Sequence, residues 1–422
     1  MDPGPGHANQ MPTTRGQTAL WYADQKVVTS AGYNVTVVWT ITREVAASEI
    51  AEAWIRIHRE TPALAVRMGL DRAGAVVQWL SSKDLDQEYA DFQAFPDGAA
   101  KAAAFLADRT SQPFDTDGGA LARLVVARVR GDISVVTLVA HHLVLDAVSQ
   151  VSLARKFVDI LQPVGEQSWN QPYAELVDAV IQAESRTREA DVEYWAERVA
   201  GFLEGPDWFT ARPTQDLGTR AGYRRGEVVG EGLASLLAAA HDFGVGLYML
   251  VTAAVHRALA SAGAERTVVC SAVSVRPGAG RSDDVVGCFI NMVPLAARHV
   301  SGEALGELVR RESAGWRKDH RHRGLALLDI AGTAGPASTS PNRLDRVFFS
   351  YRETDPTLTW ADHGPDFSAQ LFNKYPATRN DLTLRFFRGS DRLHYEVEWS
   401  AATPWGVVFA DALEDSLRNP ER

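Results

Sequence analysis

The sequence predicts an α+β fold in two halves, each with its own mixed sheet and helices. The chain has 422 residues, which is more than one ordinary domain contains. Hydrophobic residues make up 45% of the chain and charged residues 23%, a composition that can form sizeable cores. Segments rich in β-branched residues alternate with segments whose apolar residues recur at helical spacing. This mixture occurs in both halves of the chain, which predicts two lobes of the same class.

The first half contains four predicted strands and four predicted helices. Residues 32–44 alternate in polarity and are rich in β-branched residues, which is typical of a strand. Residues 48–60 place apolar side chains at helical spacing. A Gly-Asp turn at residues 131–132 predicts a hairpin. The other predicted strands are 74–81, 120–129 and 133–142, and the other helices are 97–110, 146–161 and 172–201.

The second half repeats this mixture. Its predicted helices are 232–243 and 247–263, and its predicted strands are 266–275, 287–299, 346–353, 366–373 and a hairpin over 381–400 with Gly389 near the turn. We therefore predict an N-terminal lobe at residues 13–171 and a C-terminal lobe at residues 172–422. The Pro/Gly-rich residues 1–12 are predicted to be a flexible N-terminus.

Composition excludes several classes of protein. The net charge is −10 and the basic residues are spread along the chain, which argues against nucleic acid or an anionic membrane as the main partner. Two cysteines, Cys270 and Cys288, cannot make a disulfide framework. No apolar signal core opens the chain, and no run approaches the roughly 20 apolar residues of a membrane span. We therefore expect a cytoplasmic protein.

The stretch LVAHHLVLDAVSQ, residues 138–150, holds the main candidates for chemistry. Adjacent strand residues point to opposite faces, so joint binding of one metal by His141 and His142 is awkward, and no further ligands lie nearby. Imidazole can serve as a general base near neutral pH, and the alternative is that both histidines are structural. Asp146 is placed either to cap the following helix or to hold the loop by pairing with an arginine.

These residues resemble the H-H-x-x-x-D-G signature of nonribosomal peptide synthetase condensation domains, within the chloramphenicol acetyltransferase-like superfamily. TTRGQTALW, residues 13–21, resembles the opening motif S-x-A-Q-x-R-L-W of that family. TPALAVRM, residues 61–68, resembles its second motif more weakly, and VGCFINMVPLAAR, residues 286–298, resembles V-G-x-F-V-N-T closely. The motifs occur in family order over nearly the whole chain.

The resemblance implies a fold and a role for each matching residue. The fold would be two chloramphenicol acetyltransferase-like lobes in a V-shaped pseudo-dimer with a tunnel between them. His142 would be catalytic, as general base or nucleophile-orienting residue, with His141 as its structural partner. Asp146 would pair with Arg276 of the VSVRPG segment to hold the loop. The residues implied for the tunnel and its floor loop are Gly287, Asn291, Ser350 and Tyr351; a turn glycine and a loop amide are the alternatives for the first two.

The sequence departs from the family pattern at three alanines. Ala147 stands where the signature usually has glycine, so its methyl group would narrow the channel or restrict the backbone. Ala19 and Ala65 replace arginines of the first and second motifs. Those arginines look structural in the family, so these two changes bear on details of the fold rather than on the chemistry.

The activity implied by the resemblance is condensation in natural-product biosynthesis. An acyl or aminoacyl thioester on the phosphopantetheine arm of a carrier protein would pass to an amine or alcohol, giving an amide or ester. No metal and no tightly bound cofactor is implied, and a monomer is expected. The alternatives are a coenzyme A-dependent acyltransferase of the same superfamily and a non-catalytic docking module. Adenylation and carrier-serine motifs do not occur, which predicts a free-standing enzyme if the chain is complete, or one excised piece of a module.

Overall fold

The structure of the chain is a computed structural model. It describes residues 10–25, 30–81, 86–163, 172–203, 220–278, 282–300, 302–333, 344–372, 380–401 and 403–421. Residues 1–9 of the predicted flexible N-terminus lie outside this part of the chain. Residues 11 and 12 of the same stretch form a short strand instead.

Helices and strands alternate through most of the described chain. The helices are α1 Arg15–Gln25, α2 Ala47–Glu60, α3 Gly98–Ser111, α4 Ala147–Leu161, α5 Tyr173–Leu203, α6 Gly230–Asp242, α7 Leu247–Ser261, α8 Leu305–Arg321, α9 Leu327–Thr333 and α10 Gly406–Arg418. The strands are β1 Met11–Pro12, β2 Asn34–Ile41, β3 Val66–Leu70, β4 Val76–Leu80, β5 Asp86–Asp91, β6 Ala122–Arg130, β7 Ile133–His141, β8 Arg220–Val229, β9 Arg266–Ser274, β10 Ile290–Arg298, β11 Val347–Arg352, β12 Thr357–Thr359, β13 Phe367–Phe372, β14 Leu382–Arg388 and β15 Arg392–Ser400.

The chain divides into two compact units that are not contiguous in sequence. Unit 1 comprises Met1–Ala183, Arg276–Ile290 and Pro356–Pro376, and unit 2 comprises Glu184–Val275, Asn291–Asp355 and Ala377–Arg422. The sequence predicted one division at residue 171, which itself lies outside the described residues. In the structure the first division falls inside α5, and unit 1 also takes two later segments. A single division of the sequence cannot assign to unit 1 the strands that come from a later part of the chain, such as β13.

Unit 1 is built on a six-stranded mixed sheet with the order β12-β13-β2-β7-β6-β5. The predicted hairpin of β6 and β7 is confirmed, with Arg130 opposite Ile133 at its turn. β5 runs parallel to β6, whereas β2 pairs antiparallel with both β7 and β13. A smaller sheet has the order β1-β4-β3. The strand β13 comes from the late segment of the chain and completes the sheet beside β2.

Helix α4 packs on this sheet through large buried side chains. The Trp39 ring of β2 lies 4.4 Å from the Phe157 ring of α4, and its indole N–H donates to the Ala154 carbonyl at 3.0 Å. Both aromatic side chains are almost fully buried, so each removes an apolar area worth roughly 1.5–3 kcal/mol from water. This packing holds the middle of α4 against the sheet of unit 1.

The late segment of unit 1 also contacts α4 through polar side chains. His363 Nε2 lies 2.9 Å from Asp159 Oδ1, and Arg155 Nη2 lies 2.5 Å from Asp362 Oδ2. The side chains of His363 and Asp159 are buried, so this contact is shielded from solvent. Helix α4 is therefore held both by its sheet and by a segment that follows it by two hundred residues.

Unit 2 is built on a second six-stranded mixed sheet, with the order β10-β9-β11-β14-β15-β8. β11 runs parallel to β9 and β14, and β15 pairs antiparallel with β14 and β8. The predicted hairpin of β14 and β15 is confirmed, and Gly389 N–H donates to the Arg392 carbonyl at its turn. Each unit thus contains a mixed sheet with helices, as the sequence predicted.

Helix α7 lies in the core of unit 2. Ten of its fifteen residues are buried, and they pack with residues of the sheet and of α8 and α10. Within the described residues no single helix has the length and apolar content to cross a membrane. The pair α6 and α7, bent by 98°, meets the length and composition criterion together, although both helices contribute to the core of unit 2.

The buried His256 of α7 predicts a pH-dependent stability. Its ring stacks on Trp316 at 5.2 Å, and Nδ1 lies 2.6 Å from the Thr267 hydroxyl oxygen. Burial, assisted by the charge of Arg198, lowers the pKa of His256 to about 3. An unfolded histidine takes up its proton near pH 6.5, so the unfolded state binds more protons over the interval between these values. Stability therefore falls as the pH falls from about 6.5 toward 3.

His256→Gln keeps a polar side chain but cannot titrate, so we expect a shallower loss of stability in acid. The slope of unfolding free energy against pH should decrease by up to about 1.4 kcal/mol per pH unit, measured by urea denaturation between about pH 7 and pH 5. His241→Gln is the matched control, because the His241 side chain is 89% exposed. Equal slopes for wild type and His256→Gln would contradict the prediction.

Candidate functional site

The two motif histidines lie where β7 ends and a short turn begins. His141 is the last residue of β7 and lies opposite Asn34 of β2, and His142 is the first residue of the turn. The His142 backbone N–H donates to the Tyr33 carbonyl at 2.8 Å. The His141 side chain is fully buried, whereas His142 is half-buried. The two neighbouring imidazoles therefore occupy different environments.

Both ring nitrogens of His141 contact protein groups. Nδ1 accepts a hydrogen bond from the Leu143 backbone N–H at 3.2 Å, and Nε2 lies 3.3 Å from Asp24 Oδ1 of α1. An imidazole nitrogen that accepts a hydrogen bond carries no proton, so the proton of a neutral ring lies on Nε2, the nitrogen nearer to Asp24. The His141 ring therefore contacts the turn through one nitrogen and α1 through the other.

Asp146 is a buried hub at the start of α4. Its Oδ1 accepts the Ser149 N–H at 2.8 Å, which is the capping contact of a helix N-terminus. Its Oδ2 accepts the Phe289 N–H at 3.0 Å and lies 2.9 Å from Arg276 Nη2, and the Asp146 N–H donates to the Gly287 carbonyl. Both alternatives that the sequence left open for Asp146 are therefore present together.

Arg276 fixes the segment that approaches Asp146 from later in the chain. Its Nη1 donates to the Ser282 and Val285 carbonyls at 2.6 and 2.7 Å, and its guanidinium lies over the Phe289 ring at 4.6 Å. The side chains of Arg276 and Asp146 are 2% and 1% exposed. A buried pair of this kind is stabilising only when hydrogen bonds replace the water it loses. The Ser282 and Val285 carbonyls take the Nη1 protons, and the Ser149 and Phe289 amides donate to the carboxylate.

Ser149 joins the same hub, and sequence reasoning missed it. Its hydroxyl donates to the Gly287 carbonyl at 2.8 Å and accepts the Gly287 N–H at 2.9 Å and an Arg276 Nη2 proton at 3.0 Å. The side chain is fully buried. A serine in the first turn of a helix is common, so only its spacing of three from a capping aspartate could have singled it out.

Gly287 has no room for a side chain. A Cβ atom there would lie 2.3 Å from the Phe289 ring and 3.0 Å from the Tyr173 ring. Its backbone φ is not in the left-handed region, so close packing rather than turn geometry requires glycine. Through its backbone, Gly287 donates its N–H to the Ser149 hydroxyl and accepts the Asp146 N–H at its carbonyl.

Three of the nine predicted site residues belong to unit 2. Asn291 follows the division after Ile290, and its Nδ2 donates to the Arg323 and Leu325 carbonyls at 2.7 and 2.8 Å. Ser350 and Tyr351 lie in β11. The other six predicted site residues all belong to unit 1. They are His141, His142, Asp146, Ala147, Arg276 and Gly287.

Ala147 is the first residue of α4, immediately after the Asp146 cap. A helical backbone suits alanine better than glycine, by up to about 1 kcal/mol in a helix interior. The methyl group is half-buried. The departure from the family signature is thus compatible with the start of the helix.

Burial keeps the two neighbouring groups Cys288 and Tyr173 neutral. Burial raises the pKa of the Cys288 thiol well above its usual range, and the nearby Asp146 charge acts in the same direction. Burial likewise raises the pKa of Tyr173, whose hydroxyl donates to Gln78 Oε1 at 2.6 Å. Neither group supplies an anionic nucleophile at neutral pH. The half-buried His142, between two residues fixed by buried contacts, has the chemistry to accept or donate a proton there.

Sequence comparison with known proteins identifies one family and relatives among peptide and polyketide synthases. The family model described as Condensation domain matches residues 7–403. Phosphinothricin tripeptide synthetase PhsC of Streptomyces viridochromogenes is 26% identical over 315 residues, and polyketide synthase PksN of Bacillus subtilis is 22% identical over 310 residues. The alignments cover 72% and 71% of this chain but 29% and 6% of those relatives. The chain therefore spans less than a third of the length of either.

Solved structures agree with the fold. The starter condensation domain of rhizomide synthetase RzmA, in complex with C8-CoA, matches with a TM-score of 0.79 at 20% identity, over 96% of this chain and 93% of that one. The first condensation domain of the calcium-dependent antibiotic synthetase matches with a TM-score of 0.76 at 18% identity, over 98% and 97%. The likeness establishes the fold and confirms the α+β class predicted from the sequence.

Proposed function

Because the chain belongs to the condensation domain family, we propose that it catalyses acyl transfer to form an amide or ester. The donor is an acyl or aminoacyl thioester on the phosphopantetheine arm of a carrier protein, and the acceptor is an amine or alcohol. His142 is the residue that carries the chemistry. The chain acts in nonribosomal peptide-type biosynthesis of natural products.

One observation supports this proposal most. The loop after β7 is held by the buried hub of Asp146, Arg276 and Ser149, while the side chain of His142, four residues before Asp146, is half-buried. The buried polar contacts of this hub fix the backbone of the loop, and the His142 side chain keeps part of its surface exposed. Catalytic groups require this combination of a rigid backbone and an accessible side chain.

The proposed reaction needs no cofactor bound to the protein. The nucleophile attacks the thioester carbonyl, a C–N or C–O bond forms, and the C–S bond breaks. His142 takes or orients the proton of the nucleophile, and that proton ends on the thiol of the released arm. The thioester is already activated, so no covalent acyl-enzyme is needed. Asp146 and Arg276 act by holding the loop rather than by touching the substrates.

A donor comparison tests the proposal. A panel of acyl and aminoacyl groups is loaded on carrier proteins, the same groups are supplied on coenzyme A, and amine and alcohol acceptors are added with the purified chain. We expect a product detectable by mass spectrometry from at least one carrier-bound donor, formed at least about 100-fold more slowly with His142→Ala. Product from coenzyme A donors alone would show that the donor is an acyl-coenzyme A and not an acyl group on a carrier protein.

No product from any donor, with a folded protein that captures a loaded carrier in a pull-down, would overturn the proposed chemistry and favour a docking module. Capture is measured with the same loaded carriers. The unloaded carriers are the control, because a docking role requires preference for the loaded form.

A further inference from the structure

Helix α1 buries a polar face. Its buried residues are Gln17, Trp21 and Asp24, spaced four and three apart, so they share one side of the helix. Gln17 and Asp24 are 0% and 4% exposed. A buried amide and a buried carboxylate each cost several kcal/mol unless hydrogen bonds replace water, so their partners determine what this helix does.

The partners lie on both sides of His142. Asp24 Oδ1 is 3.3 Å from Nε2 of His141, and Gln17 Nε2 donates to the Leu143 carbonyl at 3.2 Å. These contacts join residues 117 and 126 positions apart in sequence. The first and last turns of α1 therefore hold the residues immediately before and after His142.

Each contact is itself braced by other buried groups. Asp24 Oδ2 accepts the Thr116 hydroxyl at 3.0 Å, and Gln17 Oε1 accepts the Thr14 backbone N–H at 3.1 Å. Gln17 Nε2 also lies 3.3 Å from the Tyr173 hydroxyl. Rotation of the Gln17 side chain would break several hydrogen bonds at once, and rotation of the Asp24 side chain would break its hydrogen bond with Thr116 and its close contact with His141.

We propose that Asp24 and Gln17 are positioning residues for His142. Asp24 holds His141 with its proton on Nε2, so that Nδ1 accepts the Leu143 N–H and shapes the turn, and Gln17 fixes the Leu143 carbonyl on the other side. This inference rests on the proposed function, in which His142 performs the chemistry. In this proposal α1 positions the turn that carries His142, in addition to packing in unit 1.

The test compares two substitutions of Asp24 that have similar size and no charge. Asp24→Asn retains an oxygen that can accept from His141 Nε2, and Asp24→Leu does not. We expect Asp24→Leu to lower kcat by about 10- to 100-fold with KM for donor and acceptor little changed, because a small misplacement of a catalytic group costs this much. Asp24→Asn should recover most of kcat. Gln17→Met should act in the same direction as Asp24→Leu.

Trp39→Phe is the matched control, because it removes one buried indole hydrogen bond of unit 1, to the Ala154 carbonyl, that involves neither α1 nor residues 141–143. It should lower stability without lowering kcat of the folded enzyme. A purely structural role would make Asp24→Leu behave like Trp39→Phe, with a lower melting temperature and an unchanged kcat. Equal kcat values for Asp24→Leu and Asp24→Asn would likewise overturn the proposal.

A second readout separates this inference from the proposed function. Nitrogen-15 NMR of labelled histidine rings reports which ring nitrogen of His141 is protonated, and the environment of His142. We expect wild type, Asp24→Asn and Trp39→Phe to share the Nε2–H form of His141, and Asp24→Leu to change the signals of both rings. If wild type shows no turnover, the chemistry fails while these spectra still decide the positioning. Unchanged spectra in Asp24→Leu would reject it.

Discussion

His142→Ala is expected to lower turnover by about 10²- to 10⁴-fold, the range typical of a positioned general acid–base group. Residual activity should remain, because holding donor and acceptor together still accelerates the reaction. The fold should be retained: His142 is half-buried, and its hydrogen bond to the Tyr33 carbonyl comes from the backbone and survives the substitution. The measurements are initial rates with the best carrier-bound donor and the urea midpoint of the same preparation.

The control for this variant is His241→Ala. His241 is an exposed histidine of α6, so its loss removes the same kind of side chain without touching unit 1. It should keep wild-type turnover. A His142→Ala enzyme with near-full activity would show that the imidazole is not required, and the mechanism would then depend on substrate positioning alone.

Asp146→Ala is expected to lower the free energy of unfolding by about 3–5 kcal/mol, because it leaves the Arg276 guanidinium buried without its counter-charge. The same change removes the cap that accepts the Ser149 N–H and the acceptor of the Phe289 N–H. Urea denaturation gives the size of the loss. Hydrogen exchange of the first amides of α4 locates it, since those amides should lose protection first.

Two controls make this result specific. Asp97→Ala removes another aspartate that precedes a helix, but Asp97 makes no side-chain capping bond and is exposed, so the loss should stay within about 0.5 kcal/mol. In a double-mutant cycle, Asp146→Ala with Arg276→Met should cost less than the two single changes added together, by more than about 1 kcal/mol. Additive losses would contradict a coupled pair.

Much of the fold could be predicted from the sequence because its central elements are apolar and periodic. β2, β7, α2 and α7 show alternation or helical spacing, and the structure confirms them. Helices α8 and α10 bury apolar residues at helical spacing as well, but the sequence analysis did not predict them. Two other unpredicted elements lack such a pattern. α1 buries a glutamine and an aspartate, and all but one residue of β5 are exposed, so hydrophobic periodicity had nothing to detect in either.

The edge strand β8 was missed for a different reason. Its sequence, RAGYRRGEVV, contains glycines and charges that disfavour a strand. Gly226 is needed there because a Cβ atom would lie 2.2 Å from the Tyr395 hydroxyl oxygen of β15. Such a requirement comes from the neighbouring strand, which no local pattern can report.

The candidate site divides in a similar way. The motif resemblance singled out the residues of the Asp146–Arg276 contact, because each belongs to a recognisable short motif. Ser149 and Asp24 were missed, since their importance arises from contacts with residues more than a hundred positions away. For Asp24 a signal did exist: it follows Gln17 by two helical turns, so it would have been found had residues 15–25 been predicted as a helix.

The late segments of unit 1 have a consequence for synthesis on the ribosome. The edge of β2 is covered only when β13 emerges, and Asp146 meets its arginine only after 130 further residues have been made. At translation rates of about 5–20 residues per second, the nascent β2 edge waits on the order of tens of seconds with unpaired backbone groups. The yield of native protein should therefore depend on chaperones and temperature during this interval, more than on the stability that the finished chain reaches.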